Sequence, residues 1–507
     1  MAEIAIETVI ENKNKMDDYY SPKPKLKPTP KPKLSLPVAA TATATEKAIA
    51  VATATATETA IEKIKNKTVD YPPKLTLPEK RKLAVTLVYL TGSAGYHSVA
   101  GLFRGKKGAR YYFIHVAHAI IREALRSMTY REWQYLTSTT RHNYESFARG
   151  KHFLPQVVHL ERYGGTGYWI GDKKAKNVIV YFHGGGFMIS ASKLHFHFCW
   201  SLLSAVDKDQ KPQPQRHQQR QQQQQQKVPI TIPKTSVFFV DYTLTPHAAY
   251  PIQIQQCVEA IHYLVTETHH PFSSITLGGD AAGANLALAV LSHMLHPHPE
   301  IDLPLLNCAN RTTRASLSPS PVPGSGPRSG PSPIPGSGPR SGPSPVPGSG
   351  SRSGPHSSVR EDQFAGLFCI GPWVSFGAYQ GWTSPGENRR KDMVTDDLGT
   401  TWSRKYLNGR KGDRWNQPVL ASPAWWRGCP VRRALILAGS EEVFLSSIEE
   451  FARRFMAAVP NSVFFVGPDE GHVTPISDRM AKYTNNRQGK ELMKWLAGIY
   501  ETLEKSS

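Results

Sequence analysis

Ile275-Thr276-Leu277-Gly278-Gly279-Asp280-Ala281-Ala282-Gly283-Ala284-Asn285-Leu286-Ala287-Leu288-Ala289-Val290-Leu291 is the stretch on which the reading of the fold turns. Residues 275–278 form a short apolar run of strand character, and residues 284–295 carry the small and aliphatic side chains of a buried helix. Only Gly279, Asp280, Ala281, Ala282 and Gly283 lie between them. A strand that becomes a helix in so few residues must turn sharply, and a glycine at each end lets the backbone approach its neighbours without a side chain in the way. A strand, a tight turn and a helix make the repeating joint of α/β architecture.

Working outward, the same alternation recurs. Apolar runs at 178–182, 236–241, 364–371, 434–438 and 462–466 read as further strands. Helical patterns follow through Cys257, Ala260, Ile261 and Leu264, over 447–459 and over 487–505. Short buried strands separated by helices predict a mostly parallel central sheet with helices on both faces. Residues 111–128 and 130–149 read as two helices that cap the carboxyl edge of that sheet, where open α/β sheets bind ligands.

The spacing divides the chain into three parts. Residues 1–75 read as a disordered tail rich in Lys and Pro and then in Ala and Thr. Residues 76–160 read as a helical lead-in and cap, and residues 161–507 as the α/β domain. Two low-complexity insertions interrupt that domain, a Gln-rich one at about 208–230 and a Pro/Gly/Ser repeat at about 310–360. Loop-closure entropy grows only logarithmically with length, so a continuous fold can carry both.

Two further motifs bear on chemistry. His183-Gly184-Gly185-Gly186 follows the 178–182 strand directly, so its glycines can turn backbone amides toward a ligand. Gly471-His472 follows the 462–466 strand by a short loop, and Gly439-Ser440-Glu441-Glu442 follows the 434–438 strand. Between the glycine loop and the 279–283 turn lie Asp241-Tyr242-Thr243-Leu244-Thr245-Pro246 and Tyr250-Pro251.

In this order the motifs resemble the α/β-hydrolase fold of the hormone-sensitive-lipase-like esterases, with steryl acetyl hydrolase-like proteins as the nearest likeness. The resemblance runs from about residue 110 to 500, outside the two insertions. It implies an oxyanion hole from Gly184, Gly185 and Ala282, supported by His183, Gly186, Asp241, Gly279, Asp280 and Gly283. It implies His472 as the base and Glu441 as the acid, with Glu442 as the alternative acid. The nucleophilic serine of such proteins corresponds to Ala281.

Alanine has no group to deprotonate and cannot form an acyl-enzyme, and neither Asp280 nor Ala282 beside it offers a hydroxyl or thiol. Three functions stay open on the sequence. They are a hydrolase or deacetylase of a hydrophobic ester by descent, a binder of a carbonyl ligand without turnover, and a base and oxyanion catalyst of another reaction.

The net charge is +21, and much of its visible clustering, at Lys23, Lys25, Lys27, Lys31 and Lys33, lies in the tail. No nucleic-acid module accompanies it, so no nucleic-acid partner is expected. Cys199, Cys257, Cys308, Cys369 and Cys429 are odd in number and never form a CxxC pair, which argues against a disulfide framework or a zinc site. No metal and no cofactor are expected. The N-terminus lacks a basic region followed by an apolar run, so an intracellular location is expected, in the cytoplasm or on the cytoplasmic face of an internal membrane. From Leu83 to Phe103 no Asp, Glu, Lys or Arg occurs, and basic residues flank both ends. That segment reads either as a helix packed on the domain or as a membrane-associated one, single-spanning or peripheral. The sequence is silent on oligomeric state.

Overall fold

The computed structural model describes residues 74–206, 234–305, 362–377 and 381–505. The tail and both low-complexity insertions lie almost wholly outside these residues. Eight strands form one sheet in the order β1-β2-β4-β3-β5-β6-β7-β8. They are β1 Gln156–His159, β2 Thr166–Ile170, β3 Asn177–Phe182, β4 Thr235–Asp241, β5 Ile275–Asp280, β6 Gly366–Ile370, β7 Ala434–Gly439 and β8 Ser462–Gly467. The β1/β2 and β2/β4 pairs are antiparallel, and every pair from β4 to β8 is parallel. The sheet therefore begins inside the stretch expected to be helical lead-in.

The helices are α1 Leu77–Ala100, α2 Tyr112–Ser127, α3 Tyr130–Leu136, α4 Thr140–Gly150, α5 Lys193–Val206 and α6 Ile252–Thr266, followed by α7 Ala282–Leu295, α8 Ser384–Asn388, α9 Asp396–Leu407, α10 Leu445–Met456, α11 Thr474–Ser477 and α12 Arg487–Lys505. The single helix expected over 130–149 is two. Thr139 caps α4 by accepting from the His142 amide at 3.2 Å, which starts a new helix where the old one would have continued.

Alternate residues of the central strands face opposite layers. Val178, Val180, Phe182, Leu277 and Cys369 join one apolar core with α6, α7 and α10. Ile179, Tyr181, Phe239, Phe368 and Leu437 join the other, with α4, α5 and α12. Burial on both faces explains why these strands are continuous apolar runs in the sequence. Among the described residues Cys199, Cys257, Cys369 and Cys429 are buried, each a small apolar side chain of these cores.

One topological feature positions the site. After β3 the chain pairs β4 on one side of β3 and then crosses to pair β5 on the other. The carboxyl ends of β3 and β5 therefore flank a crevice at the switch point of the sheet, the place where such sheets hold ligands. Over it lies an apolar lid in which Leu125 of α2 packs with Val394, Leu398 and Val443, joined by Trp133, Ile189, Trp402 and Phe444. Of the two helices expected to cap this edge, α2 and α3 contribute Leu125 and Trp133 to the cluster with α9, whereas α4 packs through Tyr144 and Phe147 into the core on one face of the sheet.

Candidate active site

The 279–283 turn is the joint between β5 and α7. Ala281 sits there at φ 47° and ψ −113°, a conformation that non-glycine residues rarely adopt. Its amide donates to the Ile370 carbonyl at 2.9 Å, and its carbonyl accepts from the Trp373 amide at 3.1 Å and the Asn285 amide at 3.1 Å. Those three bonds hold the strained residue. The turn is crowded because α7 leaves against the end of β3. A Cβ on Gly283 would come 2.0 Å from the Phe182 carbonyl oxygen, so only glycine fits there.

The 183–186 loop lies beside this turn and is tied to it by Asp280. Asp280 is buried, and its Oδ1 accepts from the Gly184 amide at 3.0 Å and from the Tyr181 hydroxyl at 2.6 Å. Burial alone would raise the Asp280 pKa, but the nearby His195 ring and the Tyr181 hydroxyl outweigh it and hold the carboxyl below its ordinary value. The Gly184 amide is thereby committed to Asp280 and is not left for a ligand. The expected set of oxyanion donors is corrected accordingly. The amides of Gly185 and Ala282 have no acceptor among the described residues and remain as the pair of donors. Gly186 has φ 59°, and a Cβ there would strike the Trp402 ring at 1.9 Å, so Trp402 closes directly over the loop.

His183 itself is a structural residue. Its ring stacks on Tyr242 at 4.4 Å, its Nδ1 donates to the Gly184 carbonyl at 2.7 Å, and burial pushes its pKa down to about 4. Asp241 accepts from the Tyr168 hydroxyl at 2.9 Å and stands 3.9 Å from the His183 Nε2, so it supports the loop from behind.

The acid is the second correction. Glu442, not Glu441, faces His472, with Nδ1 of the ring 2.6 Å from its Oε1. The other Glu442 oxygen accepts from the Gly439 amide at 3.0 Å. Glu441 makes no hydrogen bond to His472 among the described residues; burial raises its pKa, opposed by Lys391 and a hydrogen bond with the Arg110 backbone. The backbone decides between the two. The Glu441 amide bonds to the Glu470 carbonyl at 2.8 Å, which fixes the loop so that the next side chain turns inward.

His472 and Glu442 are both buried. Burial disfavours the charged imidazole, yet the carboxylates of Glu442, Asp392 and Asp280 together raise the His472 pKa above its ordinary value. With Nδ1 donating to a carboxylate, Nε2 is left as the basic atom. The 371–373 loop joins this pair to the elbow. Gly371 packs so tightly on it that a Cβ would lie 2.8 Å from Glu442 Oε1 and 3.0 Å from His472 Nδ1, and two residues later the Trp373 amide bonds Ala281.

Asp392 escaped the sequence reading. It is fully buried, and it accepts from the His472 amide at 3.1 Å, the Met393 amide at 2.7 Å and the Val443 amide at 2.7 Å. One carboxylate from the lid therefore pins the histidine loop and the acid loop together. Burial raises its pKa to about 6, with Glu442 adding to the rise. Asn388 assists by donating to the Ser440 and Glu442 carbonyls at 3.1 and 2.9 Å. The only sequence signal for Asp392 is its place in the 381–410 segment between two strands, which has no period.

Around these groups the walls are aromatic. Phe444 meets the His472 ring edge-on at 5.4 Å and stacks with Trp373 at 6.3 Å. Phe187 stacks with Tyr406 at 3.8 Å. The site brings together a buried imidazole with its carboxylate and aromatic neighbours, with a methyl group at the head of the elbow. Among the described residues no group of His, Cys, Asp and Glu could hold a metal ion.

Residues 233–322 match a family model described as the alpha/beta hydrolase fold. No curated protein matches the sequence. Among solved structures, the chain is similar to an esterase from the bacterial hormone-sensitive lipase family, at 20% identity over 78% of this chain and 99% of that one, with a TM-score of 0.45. It is similar to carboxyl esterase 2 from the mycorrhizal fungus Tuber melanosporum, at 16% identity over 69% and 87% of the two chains and a TM-score of 0.46. It is also similar to the esterase LipW from Mycobacterium marinum, at 15% identity over 77% and 90% and a TM-score of 0.45. Likenesses this distant concern fold alone, and the fold assignment stands on strand order, elbow geometry and the matched family model. On those grounds the chain has the α/β-hydrolase fold.

Proposed function

We propose that this protein binds a hydrophobic ester or other carbonyl compound in an esterase-type pocket and does not turn it over through an acyl-enzyme. The observation that carries the reading is Ala281 at the strained head of the elbow, in a fold that also pairs His472 with Glu442. The carbonyl oxygen of the ligand would take the Gly185 and Ala282 amides, the Gly184 amide being bound to Asp280. The apolar remainder of the ligand would lie against Trp373, Trp402 and Phe444. The missing hydroxyl removes the step in which a nucleophile attacks, and loss of that nucleophile in a hydrolase of this mechanism costs about 10⁶-fold in turnover.

The reading is tested by incubating the full chain with p-nitrophenyl butyrate. Saturable quenching of tryptophan fluorescence with recovery of intact ester supports it. Ester cleavage well above the buffer rate, at a rate proportional to protein, contradicts it.

A second reading draws on the His472–Glu442 pair. A buried imidazole and carboxylate are costly to keep unless something uses them. Nε2 of His472 could remove a proton α to a bound carbonyl, with the enolate oxygen held by the two amides. Its test is deuterium exchange from solvent into the α position of a bound aryl ketone. Exchange that disappears in His472→Ala supports it, and an unlabelled ketone contradicts it.

A further inference from the structure

The face of α1 that points away from the protein is as apolar as the face that packs on it. Val85, Val88, Tyr96, Val99 and Phe103 are separated by three, eight, three and four residues, with Gly92 and Gly95 in the longer gap, which places them on one side of the helix and its continuation. All five are exposed, Val88 at 74% and Phe103 at 84% of their full surface. No Asp, Glu, Lys or Arg occurs between Lys82 and Arg104, and the acidic side chain that meets the segment's exposed residues is Glu123 of α2, which accepts from the Tyr89 hydroxyl at 3.1 Å. A contiguous apolar stripe on this scale marks an interaction surface rather than ordinary exposure.

The opposite face is fixed to the domain. Leu83 and Thr86 are buried, the Tyr112 hydroxyl donates to the Ser98 carbonyl at 2.6 Å, and Arg131 pairs with Glu79 at 2.8 Å. Among the described residues no helix is long and apolar enough to cross a membrane. The segment is therefore held where it can lie on a surface, and spanning is set aside.

Charge selects the occupant. Exposed Lys80, Arg81 and Lys82 stand at one end of the stripe, and exposed Lys106, Lys107 and Arg110 stand just beyond the other. A second copy of the chain, laid parallel or antiparallel on the stripe, would bring basic cluster against basic cluster. An anionic lipid surface would meet both clusters with opposite charge while its acyl region took the apolar side chains. We infer that α1 and residues 101–113 form a docking surface for an anionic lipid bilayer. The far side of α2 carries Leu125 and Arg122, which contact Val394 and Asp392 of the lid, so docking would set the cap of the pocket at the lipid interface. The inference does not depend on the chemistry at Ala281.

The test is flotation of the full chain with unilamellar vesicles of phosphatidylcholine alone and with 30 mol% phosphatidylserine, about one Debye length being 8 Å at 0.15 M salt. The chain is expected to float with the anionic vesicles. The triple variant Val88→Asp/Val99→Asp/Phe103→Asp is expected to lose at least tenfold in partitioning while its circular dichroism and melting stay those of the parent. As a readout that leaves the surface apolar, Phe103→Trp is expected to shift its emission to the blue on anionic vesicles and to be quenched by brominated acyl chains. Three results overturn the inference. The parent and Phe103→Trp show no vesicle response. The triple variant floats as well as the parent, which would place the binding on the Lys-rich segment around residues 23–33. The parent dimerises through the stripe without floating.

Discussion

The elbow around Ala281 and the loops of Glu442 and His472 meet across the carboxyl ends of β5, β6 and β7, and they are built to the same standard. At the elbow, three backbone hydrogen bonds hold a non-glycine residue at φ 47°, and Gly283 admits α7 against β3. At the other side, a carboxylate orients the imidazole and a second carboxylate, Asp392, ties both loops by their amides. The two regions differ in outcome. The acid and base loops keep the side chains their geometry serves, whereas the elbow keeps its strained backbone and lacks the side chain that strain presents. Glu442 and His472 are paired, whereas Ala281 carries no hydroxyl and the Gly184 amide is taken by Asp280.

That contrast can be broken at either side. The largest effect is expected in the Ala281→Ser background, where removal of the base by His472→Ala should cost about 10⁴–10⁶-fold in ester turnover, as for a triad acting as a unit. Steady-state rates with p-nitrophenyl butyrate measure it, and a loss under tenfold would separate His472 from the elbow. Next in size, Glu442→Gln in the same background should cost about 10³–10⁴-fold by leaving the imidazole in the wrong tautomer. Glu441→Gln should stay within about threefold of its parent, and a larger loss from Glu441→Gln than from Glu442→Gln would reverse the assignment made from the 2.6 Å contact.

Two stability predictions sharpen the elbow side. Gly283→Ala places a methyl 2.0 Å from the Phe182 carbonyl oxygen and should destabilise by about 3 kcal/mol or more, read as a fall in denaturation midpoint. Ala281→Gly relieves a positive φ at the cost of some unfolded-state entropy, and should stabilise by about 1 kcal/mol. A loss of stability in Ala281→Gly would mean the residue is not strained.

Much of this was legible in the sequence, for physical reasons. Strands buried on both faces announce themselves as apolar runs, so β3 to β7 could be read, and the edge strand β8 was read from its apolar run although Val463 is exposed. β1 and β2 could not, because Gln156–His159 is half-exposed and Thr166–Ile170 opens on a threonine and a glycine. The glycine loop, the elbow and His472 were legible because close backbone approaches demand particular residues at particular places. The choice between Glu441 and Glu442 was not, because one residue of loop register is set by a distant bond to the Glu470 carbonyl. Nor was the spending of the Gly184 amide, which depends on the Asp280 carboxylate folding back across the crevice. Asp392 acts only through backbone amides of other loops, a role with no local pattern.

The central claim, that a hydroxyl at position 281 would restore acyl-enzyme chemistry, is tested most directly by Ala281→Ser. With p-nitrophenyl butyrate the variant should release a stoichiometric burst of p-nitrophenolate and gain the mass of a butyryl group, while the parent does neither. Because carboxylates raise the His472 pKa and the base must be neutral to work, activity should rise with pH through a pKa above the ordinary 6.5. A correctly folded Ala281→Ser protein with neither burst nor acyl adduct would contradict the account.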